Sequence, residues 1–181
     1  MTHAPDEITI YTDGACRPNP GPGGYGAILI VGGRKRELSG GFRLTTNNRM
    51  ELFSVIRALR DVEPPNAKVT VYSDSQYIVS MYNGGYAKQW RRNGWTRNKG
   101  RDPVLNPDLW GALLDLCARH DVRFVWVRGH AASAENIRCD ELAVAARQGA
   151  NLPPDEGYEQ PGVPERLGQL TLFDMPPHVT T

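Results

Sequence analysis

Ile8-Thr-Ile-Tyr-Thr-Asp-Gly14 and Lys68-Val-Thr-Val-Tyr-Ser-Asp-Ser75 are the two stretches whose reading decides the fold. In each, apolar and polar residues alternate through a short run that ends on an aspartate, Asp13 or Asp74. A period of two is the pattern of a half-buried strand. If the two strands are parallel neighbours, both carboxylates emerge at one carboxyl edge, where open α/β sheets put their sites.

The rest of the chain supplies such a sheet with partners. Pro18-Asn-Pro-Gly-Pro-Gly-Gly24 reads as a rigid turn-rich loop, followed by strands over Tyr25–Val31 and Lys35–Leu44 joined at Gly32-Gly33. Leu52, Val55, Ile56 and Leu59 recur at helical spacing, which predicts an amphipathic helix over Asn48–Val62, stopped by Pro64-Pro65. A short helix is expected over Ser75–Tyr82. Another should start at Asn106-Pro107, with Leu109, Leu113, Leu116 and Cys117 on its core face. Val122–Val127 reads as a fifth strand and Ala134–Gln148 as a last helix, closed by Gly149. The expected fold class is α/β: one mixed five-stranded sheet flanked by helices, occupying residues 5–150.

Composition is that of a globular domain, with 40% hydrophobic and 23% charged residues in 181. No apolar run is long enough to span a bilayer, and Met1-Thr-His-Ala-Pro-Asp-Glu7 lacks the basic and apolar stretches of a signal peptide. The expectation is a cytoplasmic protein without a membrane partner. Cys16, Cys117 and Cys139 follow neither a zinc nor a disulfide spacing, so they are read as reduced thiols.

The net charge of +1 conceals an uneven distribution. Tyr86–Arg101 holds Lys88, Arg91, Arg92, Arg97, Lys99 and Arg101 and no acid. Such a patch on a near-neutral body predicts a polyanion partner at one defined place. Trp90 and Trp95 are interleaved with these cations, either packing a helical arm onto the body or holding cations toward phosphates. The two readings are compatible. Residues 151–181 carry five acids against Arg166 and hold six of the fourteen prolines. Few large apolar residues are available there to offset ordering entropy, so a disordered acidic tail is expected.

Taken singly, the candidate catalytic residues have plain structural readings. Asp-Gly is a common turn pair, and Asp74 could cap the helix that follows it. Asn48-Arg-Met-Glu51 has the spacing of a capping box, which on spacing alone is the better reading of Glu51. Asp140 could be a solvated helix acid with Glu141 as its competitor, and His130 is a lone histidine in a loop.

Their combination is specific. Thr12-Asp-Gly14, Thr45-Thr-Asn-Asn-Arg-Met-Glu-Leu52, Ser73-Asp-Ser-Gln-Tyr77 and Gly129-His-Ala131 with Asn136-Ile-Arg-Cys-Asp-Glu-Leu-Ala143 occur in one order. Together they resemble the type 1 ribonuclease H family over about Ile8–Ala146, and the basic Trp-containing segment resembles its bacterial forms. The resemblance implies an endonuclease that cuts the RNA strand of RNA–DNA hybrids, leaving 5′-phosphate and 3′-hydroxyl ends. It implies a metal site of Asp13, Glu51, Asp74 and Asp140 for one or two Mg²⁺ ions, with Mn²⁺ as the other candidate, and a role in the rate for His130. Hard oxygen ligands of this kind suit magnesium, and two ions would clamp an in-line displacement.

The resemblance further places Cys16, Asn19 and Gln76 along the RNA strand, and Thr46, Asn47 and Asn106 at a DNA-strand phosphate. Lys88, Trp90, Arg91, Arg92, Trp95 and Lys99 become a handle on the hybrid. Ala132 and Ile137 depart from the family pattern, which bears on product release and metal optimum rather than on the four acids. In the tail, Gln169-Leu-Thr-Leu-Phe173 is similar to the short peptide by which bacterial replication and repair proteins bind the sliding clamp. Gln169, Leu170, Leu172 and Phe173 are its expected contacts, and a link to DNA replication follows. The alternative is a non-catalytic hybrid-binding protein, which should have lost at least one of the four acids. No coiled coil or large apolar surface calls for a dimer, so a monomer is expected.

Overall fold

Ile8, Ile10 and Thr12 are buried, while Thr9, Tyr11 and Asp13 alternate onto the opposite, less covered face of the same strand. This strand, β1 (Ile8–Cys16), is central in a computed structural model that describes residues 7–129 and 133–160. On one side β2 (Gly21–Val31) pairs with it antiparallel, followed by β3 (Arg34–Thr45). On the other side β4 (Lys68–Ser73) runs parallel to it, with Ile10 opposite Val71 and Thr12 opposite Ser73. Two short strands, β5 (Thr96–Arg97) and β6 (Asp102–Pro103), pair apart from the sheet. The parallel strand β7 (Asp121–Trp126) closes the sheet beside β4, giving the order β3-β2-β1-β4-β7. The expected mixed five-stranded sheet is therefore present.

Six helices complete the described chain: α1 (Asn47–Arg60), α2 (Gln76–Asn83), α3 (Tyr86–Arg92), α4 (Pro107–Cys117), α5 (Ala134–Arg147) and α6 (Glu156–Glu159). Leu52, Val55, Ile56 and Leu59 of α1 share one buried cluster with Ile8, Ile10, Val71 and the α4 residues Leu109, Trp110 and Leu113. Removing each such side chain from water contributes about 1.5–3 kcal/mol, so this side of the sheet holds most of the apolar driving force. The other side is covered by α5, which lies across β1, β2 and β3. Alternation along β2 separates the two layers: Tyr25 stacks on Phe53 of α1, while Gly26 faces α5. A Cβ at Gly26 would run into the Cys139 carbonyl and come 2.8 Å from Leu142 Cβ, so helix and sheet touch there at backbone distance. Among the described residues, no helix is long and apolar enough to cross a membrane.

Several boundaries differ from expectation for local reasons. Gly21–Gly24, expected as loop, already belongs to β2, because the missing side chains of Gly23 and Gly24 let Met50 and α5 close over a paired strand. The first helix is capped by Thr46, whose hydroxyl accepts from Arg49 N at 3.3 Å, rather than by Asn48. Ser75, not Asp74, caps α2 by accepting from Ile78 N. The basic arm is a short helix plus a small hairpin. Trp90 meets Trp110 edge-on with ring centres 5.9 Å apart, and Trp95 sits beside Gly111.

The largest correction concerns residues 151–160, expected to belong to an unpacked tail. They pack on the body, with Asp155 only 1% exposed. The anchor is polar rather than apolar, and hydrophobicity patterns do not report it: Arg49 Nε donates to Asp155 Oδ2 at 2.7 Å, and Arg43 N donates to the Pro153 carbonyl at 2.9 Å. The remainder of the segment, including Gln169–Phe173, lies outside the described residues.

Replacing Gly26 with alanine should destabilise the protein by about 1–3 kcal/mol, because the added carbon meets backbone and cannot be accommodated by a rotamer change. Urea unfolding reads this directly; a midpoint equal to the wild type's would contradict the close helix–sheet contact.

A candidate carboxylate metal centre and its nucleic-acid interface

Asp13 lies within β1 and Asp74 directly follows β4, so the parallel pairing brings both acids to one edge. The Thr12 hydroxyl donates to the Tyr72 carbonyl at 3.4 Å across this pair, and Trp126 Nε1 donates to the Asp74 carbonyl at 3.1 Å. Glu51 arrives from α1, over the end of β1. Its approach depends on Gly14, where a Cβ would stand 2.5 Å from Glu51 N and 2.8 Å from the Met50 carbonyl carbon. Asp13, Glu51 and Asp74 each offer an oxygen, and these atoms lie within 4.8 Å of one another.

The capping-box reading of Glu51 therefore gives way to the cluster. Glu51 is 5% exposed, and its Oε2 has no hydrogen-bond partner among the described residues. Burial and the charges of Asp13 and Asp74 push its carboxyl well above the usual range. Burial, then Asp74 and Asp140, push Asp13 up to about 7, against the opposing hydrogen bond from Gly14 N at 2.7 Å. A set of hard, mutually repelling oxygens with one buried lone acceptor fits a divalent cation of the magnesium or calcium type. Asp140, on α5, is half-buried and close enough to act on Asp13, but it does not join the three oxygens within 4.8 Å. His130 and Ala132 lie outside the described residues; Ile137 is exposed on α5.

The predicted substrate residues divide into groups. Asn19, Thr46 and Asn106 line one cavity of about 600 Å³, together with Arg49, Leu105 and Tyr158. Asn47 N donates to Asn19 Oδ1 at 3.1 Å, tying the loop after β1 to the start of α1. Cys16 turns its thiol toward the Pro18, Gly21 and Thr45 carbonyls at 3.2–3.5 Å, and burial pushes that thiol up. Gln76 is exposed at the start of α2, two residues past Asp74. Lys88, Arg91 and Arg92 converge on a second cavity of about 370 Å³, floored by Tyr82, Leu114 and Cys117. Arg91 is tied to Asp115 at 2.6 Å, and Lys99 is exposed at the tip of the arm.

Sequence reasoning missed Arg49. Its guanidinium is 2% exposed and donates to Asp155 at 2.7 and 2.8 Å and to Asp108 at 3.0 and 2.7 Å. Burial would lower its pKa, but these carboxylates outweigh burial and keep it charged. A signal existed: Arg49 lies three residues before Leu52 and seven before Ile56, on the apolar stripe of α1, and a cation there has to be paired. Nothing in the local sequence says that the partners lie 59 and 106 residues away.

The RNase H family pattern matches residues 5–148. A ribonuclease H of Trichodesmium erythraeum is 58% identical over 159 residues, covering 88% of this chain and all of that protein. Among solved structures, LC9-RNase H1, described as a type 1 RNase H with the type 2 active-site motif, superposes with a TM-score of 0.69. It is 31% identical over 81% of this chain and 74% of its own. LC11-RNase H1 in complex with an RNA/DNA hybrid gives a TM-score of 0.57 at 29% identity, over 77% and 95% of the two chains. The chain belongs to the RNase H family, whose members are endoribonucleases.

The electrostatics of the centre predict a pH dependence. With a folded pKa of about 7 against an ordinary 3.8, Asp13 holds a proton that the unfolded chain has already released. The native state then binds more protons, so metal-free stability should fall as pH rises from about 4 to about 7. Thermal melts in chelator should show this slope, and Asp13→Asn should lessen it, leaving the share that the raised Glu51 carboxyl contributes. At pH 7 added Mg²⁺ should raise the wild-type melting temperature and leave Asp13→Asn nearly unmoved; equal shifts in both would argue against this site.

Proposed function

We propose that this chain hydrolyses the RNA strand of RNA–DNA hybrids endonucleolytically, leaving 5′-phosphate and 3′-hydroxyl ends. The single observation behind this reading is the convergence of Asp13, Glu51 and Asp74 on one point, with a buried Glu51 oxygen that no donor among the described residues meets. Asp13, Glu51 and Asp74 would hold the metal, with Asp140 completing the set from α5. Bound magnesium, as one ion or two and with manganese as the alternative, supplies Lewis acidity at the scissile phosphate and an activated water.

The chain's own residues do the rest. The carboxylates would fix the position of the metal against the scissile phosphate, and are themselves held by β1, β4 and α1. His130, outside the described residues, is assigned a part in moving a proton or releasing product, so it tunes the rate without supporting the metal. Cys16, Asn19 and Gln76 belong to the RNA side, and Thr46, Asn47 and Asn106 to a phosphate of the DNA strand. An RNA-only duplex has a different backbone geometry and a 2′-hydroxyl on both strands, so it should suit the DNA side poorly. The basic arm adds affinity through phosphates without reading sequence.

We assign Gln169, Leu170, Leu172 and Phe173 to a sliding-clamp partner, on the sequence pattern alone. An apolar peptide in an acidic segment suits groove recognition and would raise the local concentration of the nuclease on DNA. Deleting Gln169–Phe173 should abolish clamp pull-down and leave hybrid cleavage unchanged; retained pull-down would refute the assignment.

Cleavage is tested with labelled hybrid, double-stranded RNA and double-stranded DNA, each with Mg²⁺ or chelator. Wild type should cut only the hybrid, chelator should stop it, and Asp74→Asn should lose activity by at least about two orders of magnitude. Hybrid bound but left uncut by wild type would favour the non-catalytic alternative. For the arm, Arg92→Ala and Lys99→Ala should each reduce the salt slope of hybrid affinity by up to about 0.9. Arg91→Ala should have less effect, because Asp115 already partners that cation.

A further inference from the structure

The segment 151–160 lies beyond the matched family pattern, yet its residues Gly157 and Tyr158 line the same cavity as Asn19, Thr46 and Asn106. Its fastening is polar and dense. Asp155 is 1% exposed and accepts from Arg49 Nε at 2.7 Å, Arg49 Nη2 at 2.8 Å and the Thr45 hydroxyl at 2.6 Å. Further out, the Arg43 guanidinium meets Glu159 at 2.7–3.2 Å, on the surface. Gly157 lets the backbone press onto the Arg49–Asp108 pair, since a Cβ there would stand 2.5 Å from Arg49 Nη2 and collide with Asp108 Oδ2.

Buried ion pairs contribute little net stability, because desolvation offsets their attraction; what they fix well is geometry. Here the geometry fixed is a wall. Asn19, Thr46 and Asn106 form the polar side of the cavity, and Val104, Leu105 and Pro107 an apolar side. Tyr158 adds an amphipathic side chain, with a ring for a sugar and a hydroxyl for a phosphate oxygen. Arg49 joins the wall to the polar side, since its Nη1 also reaches Asn106 Oδ1 at 3.4 Å.

We propose that residues 151–160 are a working wall of the substrate cavity: Tyr158 contacts the sugar-phosphate backbone of the DNA strand, and Asp155 is the positioning residue that holds it there through Arg49. The inference rests on the assignment above of two of the lining residues, Thr46 and Asn106, to a phosphate of the DNA strand; Asn19, assigned there to the RNA strand, is no part of it. It adds a contact residue and a positioning residue that the four catalytic segments do not contain.

The test combines Tyr158→Ala, Tyr158→Phe and Asp155→Asn with hybrids carrying one methylphosphonate at successive positions of the DNA strand. Tyr158→Ala should raise KM for hybrid by about 5–10-fold and leave kcat within about two-fold, as expected for loss of a ground-state contact. Tyr158→Phe should reproduce the part due to the hydroxyl. At one methylphosphonate position the substitution should cost no further affinity, since both changes remove the same contact. Asp155→Asn should raise KM in the same way, with a lowered melting temperature. Because that variant can fail to fold, the Tyr158 variants, at a half-buried position, carry the decision. Affinities measured by anisotropy on the Asp74→Asn background keep binding separate from turnover. Unchanged KM for Tyr158→Ala, or losses additive at every methylphosphonate position, would overturn the wall. Absence of hybrid binding by wild type would instead overturn the functional reading itself.

Discussion

Like charge held at short range is the constraint around which the molecule is arranged. Each pair of ionised carboxylates at the separations found among Asp13, Glu51 and Asp74 repels by roughly 3–4 kcal/mol at an effective dielectric near 20. Side chains free to move would separate. They are held because each hangs from a different rigid element, and the elements are locked by packing outside the site: β1 and β4 by parallel pairing, α1 by Leu52, Val55, Ile56 and Leu59. Gly14, lacking a Cβ, lets α1 come over the strand end. Part of the repulsion is relieved by proton uptake, as the raised Asp13 and Glu51 pKa values show. A divalent cation would relieve the rest.

How much of this could be read beforehand depends on the range of the interaction. Strand alternation and the stripe of α1 are local, and they gave both the sheet and the positions of Asp13 and Asp74. Glu51 could not be read from spacing: Asn48 and Glu51 match a capping box, and only the tertiary approach at Gly14 turns Glu51 toward the acids. The family resemblance resolved it. The Gly21–Gly24 stretch misled for a related reason. Glycines weaken an isolated strand, but these ones belong where Met50 and α5 lie close. Asp155 was least legible, since its partner is separated by 106 residues and its neighbourhood has the composition of a disordered tail. Ion-pair anchoring leaves no periodicity to find.

Two kinds of contact surface result, and their electrostatics differ. On the arm, Lys88 and Arg92 stand with Arg91 around an apolar floor, where tryptophan packing onto Trp110 fixes the helix that bears them. Such cations attract any polyanion, and salt weakens the attraction. The cavity bounded by Thr46, Asn106 and Tyr158 is different, because its one buried cation is more than neutralised by Asp108 and Asp155.

That imbalance is close to what the adjoining helices can offset. Arg49 with two carboxylates leaves about one negative charge, and the N-termini of α1, capped by Thr46, and of α4, which starts after Asn106, each bring the equivalent of roughly half a positive charge. The cavity is thereby near neutral while remaining rich in amide and hydroxyl groups. A backbone entering it gains little from its charge alone and must satisfy directional donors and a defined width. On the proposed function, affinity from the arm and selection in the cavity would be separate properties carried by different residues: one would fall with salt, the other would depend on Arg49 keeping the cavity walls at a fixed distance.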